Sequence, residues 1–493
     1  MIAEHLPALQ VVLPLLAAPL MVLVRSGAFA WILAVAVSWT SLGIALALAA
    51  QVHETGPISY AIGSWAPPWG IEYRVDALSA FVMVLVSLVA SLVAPYARAS
   101  IASELPQDRH YLFYALFSLC FAGLLGITIT GDAFNVFVFL EISSLSTYAL
   151  IALGRDRRAL LAAYQYLILG TIGATFYVIG VGLLFLLTGT LNIADMALRL
   201  RDVQEVRPVL AALAFISAGL GLKLALFPLH FWLPNAYAYA PSAISAFLAA
   251  TATKVCVYVL MRFYFIVFGA KLVFVQLPLS QILIALSVLA VVSASLVAVF
   301  ERDLKRMFAW SSVAQIGYIT LGIALANEAG LTGAVVHLFN HGITKGAIFL
   351  LLGCVALRAG GTGIDRIAGL GRTMPLTSFG IVLAGLSLIG IPATAGFISK
   401  WYLVAGAIER GYWWLAALIV ASSLIAAAYV WRFVEAAYLR EPLAAAAHRR
   451  EASAAMLVPA WVMVGCCIYF GIDTSFTLGG ARLAAQLLLG GVP

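Results

Sequence analysis

GLKLALFP at residues 221–228 and GLSLIGIP at residues 385–392 share one frame, G-L-x-L-x-x-apolar-P. Each stands inside an apolar run long enough to cross a membrane as a helix. A proline inside a helix removes one backbone hydrogen bond and opens the ladder. In hydrocarbon such openings survive only where protein buries them or where they line a cavity. The pair therefore predicts an all-α polytopic membrane protein with two broken helices. Pro234 and Pro241 follow the first break; Gly390 and Gly396 mark the second. Lys223 precedes its proline by five residues, and Lys400 follows its proline by eight.

The rest of the chain agrees. Of 493 residues, 64% are apolar and 10% charged, against roughly 25% charged in soluble domains. About fourteen windows read as membrane spans: 6–24, 28–50, 76–96, 110–130, 132–153, 159–188, 208–232, 241–268, 277–300, 304–326, 330–357, 375–406, 412–438 and 453–472. No soluble domain or long linker separates them. The first window is too long, and too weakly charged ahead of its apolar core, for a cleaved signal peptide.

The net charge of +7 is a membrane-topology signal and not a nucleic-acid one. Arg155, Arg157, Arg158, Arg302, Lys305, Arg306, Arg358, Arg366, Arg372, Arg440, Arg449 and Arg450 all fall on loops of one parity. Basic loops stay in the cytoplasm, so both termini are expected outside. The loop 189–207 runs against this rule, because it carries Arg199, Arg201 and Arg207 on the other side. Cys120, Cys256, Cys354, Cys466 and Cys467 form no C-x-x-C, which speaks against disulfides, zinc and iron–sulfur clusters. No phosphate-binding glycine loop and no Ser/His/Asp arrangement is present. No cofactor and no metal are expected.

Eight ionisable residues remain at membrane depth: Glu141, Lys223, His230, Lys254, His337, His341, Lys345 and Lys400, with Arg432 and Glu435 nearer one end. A charge at the bilayer centre costs a few kcal/mol on insertion scales, roughly 2.5–3.5, so such residues mark function and face the bundle interior. Structural ion pairing is the rival reading. It fails on number, because one deep carboxylate cannot pair all these bases. Desolvation lowers the pKa of an unpaired lysine and makes it a proton acceptor near neutral pH. In HLFNHGITK, residues 337–345, His337, His341 and Lys345 are four apart and share one helix face. Imidazoles and an ammonium one turn apart, with water between them, pass protons along that face. Glu141 needs a cation beside it to stay ionised, and Lys223 on another helix is the candidate, with Lys254 the next partner. His230, beside Trp232 and Pro234, and Glu435 are the outlying candidates.

A second echo extends the first. AAYQYLILGTIGATFY at 162–177 aligns with GAVVHLFNHGITKGAIF at 333–349, so that Tyr166, Gly170 and Ala174 stand opposite His337, His341 and Lys345. The offset is 171 residues here and 164 at the breaks. Either equals about five helices, and an odd number inverts the second copy. Inverted repeats with discontinuous helices point to an ion path at the midplane.

GDAFNVFVFLEISSLSTYALIALG, GLKLALFPLHFWLPNAYAYAP, ATATKVCVYVLMR, DLKRMFAWSSVAQIGY, HLFNHGITKGAIFLLLG and GIPATAGFISKW together resemble the antiporter-like subunit family. That family holds the D subunit of Mrp-type sodium/proton antiporters, three membrane-arm subunits of respiratory complex I, and subunits of membrane-bound hydrogenases. The resemblance covers spans 3 to 13. GSWAPPWGIEYRVDALSAF and the length look most like the Mrp D subunit. The resemblance implies fourteen helices, inverted repeats over helices 4–8 and 9–13, and breaks in helices 7 and 12. It implies an organisation of 1–105 with an external hairpin at 57–74, then 106–270, 271–440 and 441–493. It places Glu141 and Lys223 as the glutamate–lysine pair of helices 5 and 7, Lys254 on helix 8, and Lys400 at the far half-channel on helix 12. His337, His341 and Lys345 fall in the linking helix 11. One complex I relative carries glutamate at the position of Lys400, which speaks against that subunit.

The expected function is proton translocation within a multisubunit monovalent-cation/proton antiporter in a bacterial or archaeal inner membrane. Its partners are other membrane subunits, the lipid bilayer, protons, and sodium carried by a partner subunit; nucleic acid is not one. The first alternative is a proton-pumping subunit of a redox-driven complex, a translocase part with electron transfer in other chains. A non-conducting structural subunit would not need the buried charge, and no substrate charge pair for an organic solute stands out.

Overall fold

The computed structural model describes residues 2–442 and 450–490; Arg449, one of the loop bases, lies outside the described residues. In chain order the helices are α1 (Leu6–Val24), α2 (Gly27–Thr55), α3 (Ala77–Glu104), α4 (His110–Ile129), α5 (Ala133–Ala152), α6 (Arg158–Thr188), α7 (Ile193–Arg199), α8 (Val206–Leu224), α9 (Trp232–Tyr239) and α10 (Ser242–Ala250). They continue as α11 (Ala252–Met261), α12 (Leu279–Phe300), α13 (Leu304–Leu325), α14 (Glu328–Ala359), α15 (Leu370–Thr373), α16 (Pro375–Ile389), α17 (Ala395–Glu409), α18 (Trp413–Val434), α19 (Ala454–Ile472) and α20 (Ser475–Gly490). Thirteen stretches among the described residues are long and apolar enough to cross a membrane. The fourteenth pass is α16 with α17, made in two pieces as the motif required.

Polar residues cap several of these helices. Asp76 and Ser79 form a capping box on α3. The Asp132 carboxylate accepts from the Asn135 amide at 2.6 Å at the start of α5, and Asp303 from the Arg306 amide at 3.1 Å at the start of α13. Each satisfies donors that would otherwise be left open at a membrane boundary. α3, α10, α11, α13 and α14 are buried on nearly all sides, whereas α2, α6, α12 and α18 turn apolar faces outward. A helix apolar all round and buried all round belongs to the centre of a bundle.

The two ends of the bundle differ. At one end β1 (Ile58–Ala61) pairs antiparallel with β2 (Glu72–Val75). This is the expected hairpin, extended by one residue beyond 74. His5 Nδ1 lies 3.0 Å from the Tyr60 hydroxyl, so α1 begins at this end. Glu72 ties the hairpin down, accepting from Ser59 at 2.5 Å and from the Asn192 amide at 2.8 Å. Burial lifts the Tyr73 hydroxyl to about 12. The loop bases gather at the opposite end. There Arg158 pairs with Asp156 at 2.6 Å, its hydrogen bond holding that carboxyl below the usual carboxylate range, and Arg306 reaches the Asn235 amide oxygen at 2.7 Å. On the hairpin end Arg199 is paired with Asp195 at 2.9 Å, which neutralises one of the three bases that ran against the charge rule.

Both motif breaks are present. α8 ends at Leu224 with Ala225 in the left-handed region (φ 61°), and α16 ends at Ile389 with Gly390 at φ 89°. The window 208–232 is therefore shorter as helix than expected. A third break was not expected: Thr251, at φ −125° and ψ −54°, separates α10 from α11. The window 241–268 carries no proline or glycine at that point, so composition gave no sign of it. α20 was also missed. It is a short amphipathic helix that buries Ala481, Ala484, Ala485 and Leu488 and is too polar for a span.

Candidate functional site: a buried line of lysines and histidines

Lys223, the second-to-last residue of α8, is 2% exposed. Its ammonium donates to the Ser144 hydroxyl at 2.7 Å and pairs with Glu141 Oε1 at 3.3 Å. The expected pairing across two helices is thus in place. It is asymmetric: the Glu141 side chain is 24% exposed, on the outer flank of the bundle and not deep within it.

The other lysines of the line have no carboxylate partner among the described residues. Each is held by backbone carbonyls. Lys400, on α17, donates to Leu388 O at 3.3 Å, Ile389 O at 2.8 Å and the Ser423 hydroxyl at 2.8 Å. Leu388 and Ile389 are the last residues of α16, whose carbonyls the break at Gly390 frees. Lys254 repeats the arrangement at the unexpected break, donating to Ala249 O near the end of α10. A helix C-terminus carries partial negative charge and favours a cation by about 0.3–1 kcal/mol, up to ~2 when partly buried. That does not exceed the insertion cost of roughly 2.5–3.5 kcal/mol per charge. The breaks hold the lysines without making them stabilising. Lys345 is the exception in kind: from α14 it donates to Phe308 O at 2.6 Å and to the Ser311 hydroxyl, both on the unbroken α13.

The histidine ladder lies between these stations. The rings of His337 and His341 are stacked, 5.8 Å between centroids and 9° apart. His337 Nδ1 lies 2.8 Å from the hydroxyl of Ser399, the residue before Lys400. Tyr318 places its ring 5.7 Å from His337 and under the Lys400 ammonium at 4.9 Å. His337 Nε2, both ring nitrogens of His341 and Asn340 Oδ1 are buried and meet no hydrogen-bonding group among the described residues. Toward the first half, Gly342 brings α14 against the end of α10, where a Cβ would stand 2.9 Å from Ala250 O. Glycine is required there by close approach. The His341 turn therefore touches the helix end that holds Lys254. No direct hydrogen bond joins Lys223 to Lys254, or Lys254 to His341, among the described residues.

Two candidates fall outside the line. His230 is buried among the rings of Phe227, Phe231 and Trp310, at 5.1, 4.8 and 5.3 Å. Glu435 pairs with Arg440 at 3.1 Å, both side chains 42% exposed. It is a surface ion pair at a helix end. Sequence reasoning missed Ser144, Ser311, Ser399, Ser423 and Tyr318, the neutral partners. Two left a trace: Ser144 stands one helical turn from Glu141, and Ser399 is adjacent to Lys400. Lys305 was read as a loop base, yet it is buried and donates to Ser242 Oγ at 3.1 Å.

Residues 130–426, which hold this whole line, match the family described as NADH:quinone oxidoreductase/Mrp antiporter, TM. The chain belongs to that family. It is 44% identical over 476 residues to NADH-quinone oxidoreductase subunit N of Desulforudis audaxviator (strain MP104C), covering 93% of this chain and 94% of that one. It is 30% identical over 382 residues to the D subunit of the Na(+)/H(+) antiporter of Alkalihalophilus pseudofirmus, covering 78% and 76%. Among solved structures, a chain of the Mrp complex from Dietzia sp. DQ12-45-1b superposes with a TM-score of 0.90 at 26% identity, covering 99% of this chain and 98% of that one. The protein is an antiporter-like membrane subunit of Mrp or complex I type. The likeness to the Mrp D subunit is matched by higher identity to a relative named for the quinone oxidoreductase, so family membership does not choose between the two.

Proposed function

We propose that this chain translocates protons through the bundle as one subunit of a multisubunit membrane complex. The line runs from Glu141 and Lys223 through Lys254, then Lys345, His341 and His337, to Lys400. The observation that carries it is the stacked histidine pair, with three buried ring nitrogens that meet no partner among the described residues, between two lysines at helix breaks. Buried polar atoms of this kind are satisfied by water, and water between them completes a proton path. Moving one charge across 100 mV takes about 2.3 kcal/mol, which is of the order of the cost of holding one charge at depth. Each lysine therefore sits where a modest change in its neighbours shifts its protonation. Residues 106–270 and 271–440 form two inverted halves, each with a broken helix and a half-channel, preceded by 1–105 and followed by 441–493. The basic end faces the cytoplasm and the hairpin end, with both termini, faces outward.

The reading we favour is a cation/proton antiporter with sodium carried by a partner subunit. It rests on the Mrp-like relatives. A redox-driven pump is the second reading, favoured by the 44% identity to a quinone oxidoreductase subunit. In everted membrane vesicles holding the assembled complex, Glu141→Ala and Lys223→Ala abolish driven proton movement at native assembly. Native proton movement in either variant overturns the assignment. Whether added sodium or a reductant drives the native vesicles decides between the two readings.

A further inference from the structure

Lys254 opens a second ladder that the relay does not use. Lys254, Tyr258 and Arg262 are each four apart, on α11 and its continuation, and so share one face. All three are buried or nearly so. The Tyr258 hydroxyl donates to Thr128 O at 2.9 Å, and the Arg262 guanidinium lies over the Tyr258 ring at 5.0 Å. Arg262 then pairs with Asp76, whose side chain is 3% exposed. Beyond the pair, beneath the hairpin, is a small cavity of about 50 Å³, lined by Glu72, Arg74, Asp76, Thr130, Tyr258 and Arg262. Leu487 of α20 lies on its wall. The apolar bundle has no need of a second polar face running from Lys254 to the hairpin end.

We propose that this cavity is the hairpin-side mouth of the first half-channel, and that the Asp76–Arg262 ion pair is its gate. The inference rests on the relay reading above, because the proton it releases leaves the Lys254 ammonium, which becomes a neutral amine, and passes by water along the Tyr258 face. With the pair joined, the fixed guanidinium closes that route. Asp76 offsets the guanidinium charge, so the joined pair blocks the route by occupying it. Parting the pair opens the channel to the cavity. A plain structural staple between α3 and α11 is the competing explanation, and Asp76 gives a means to separate them. Its carboxylate does two jobs, capping α3 and holding Arg262. Asparagine caps a helix about as well as aspartate and carries no charge for Arg262.

The test is a proton leak. Vesicles holding the assembled complex receive a pH jump with neither driving cation nor reductant present, and a pH-sensitive dye follows its decay. Asp76→Asn is expected to speed the decay several-fold over native, and adding Lys254→Ala returns it to the native rate. A native rate in Asp76→Asn, at native assembly, overturns the gate. So does a fast decay that persists in the double variant. Asp76→Ser, also a capping residue, replaces Asp76→Asn should that variant not assemble; failure of both to assemble assigns the pair to folding and overturns the proposal. Glu141→Ala and Lys223→Ala test the relay separately. If they abolish driven transport while Asp76→Asn does not leak, the gate alone is lost.

Discussion

The Lys400 ammonium lies 2.8 Å from the carbonyl oxygen of Ile389, across the interruption between α16 and α17. The lysine holds the break open, and the break holds the lysine. Gly390 makes this possible: it is at φ 89°, and a Cβ there would stand 2.9 Å from Lys400 Cδ. Gly390→Ala is therefore strained by its backbone and crowds the lysine stem. Strain of this kind costs about 1–3 kcal/mol. Driven transport should fall at least tenfold, with a measurable loss of thermal stability in the purified complex. Native turnover in Gly390→Ala would show that Lys400 is not held by this geometry.

Lys223 and Glu141 are unequal partners, 2% and 24% exposed. Removing the lysine leaves a carboxylate that is only partly buried. Removing the glutamate leaves a buried ammonium with Ser144 alone, and breaking a buried charged hydrogen bond costs about 1–3 kcal/mol. Both substitutions stop transport, but their stabilities should differ. Glu141→Ala is expected to melt below Lys223→Met when each complex is unfolded by heat. The reverse order would mean that Glu141 is covered on its outer side and counts as the buried partner.

How much of this was legible depended on the kind of signal. Spans were legible because hydrocarbon demands long apolar runs, and the breaks at Pro228 and Pro392 because proline cannot continue a ladder. Charged residues at depth stood out by their cost. Thr251 did not, because its break arises from tertiary packing and from Lys254 taking the Ala249 carbonyl, not from any residue that breaks helices by itself. Serines 311 and 423 were invisible for the opposite reason. Serine is common on buried helix faces, and only the fold shows which ones meet a lysine. Glu435 was expected near one end of the bundle, and the fold adds its exposure and its pairing with Arg440.

Gly342 is where α14 meets the end of α10, with Ala250 O and Leu85 each 2.9 Å from the position of an added Cβ. Both obstacles are packed, and one is backbone. Gly342→Ala must push α14 away from the helix end that holds Lys254. Overpacking of this sort costs about 1–3 kcal/mol, and the shift lengthens the step between the two halves. The relay reading expects driven transport to fall severalfold more than in Gly182→Ala, whose added Cβ meets nothing within 4 Å. Equal rates in the two variants, measured in the same vesicles, would remove the case for a crossing at this contact.

The two outlying candidates give the converse test, since a line defined by geometry must also say what lies off it. His230 packs against three aromatic rings, and phenylalanine fills the same slot without an ionisable nitrogen. Glu435 is exposed and pairs with Arg440 at the basic end, where exposed ion pairs contribute about 0–1 kcal/mol. His230→Phe and Glu435→Gln should each keep at least half of the native transport rate, with assembly unchanged. Loss of transport in Glu435→Gln would extend the path past Lys400 toward the basic end. Loss in His230→Phe would place a proton station at the first break, on the side away from Lys223. Either result would require the line to be redrawn through α9 or α18, because neither residue is in hydrogen-bonding contact with any of the seven residues of the line.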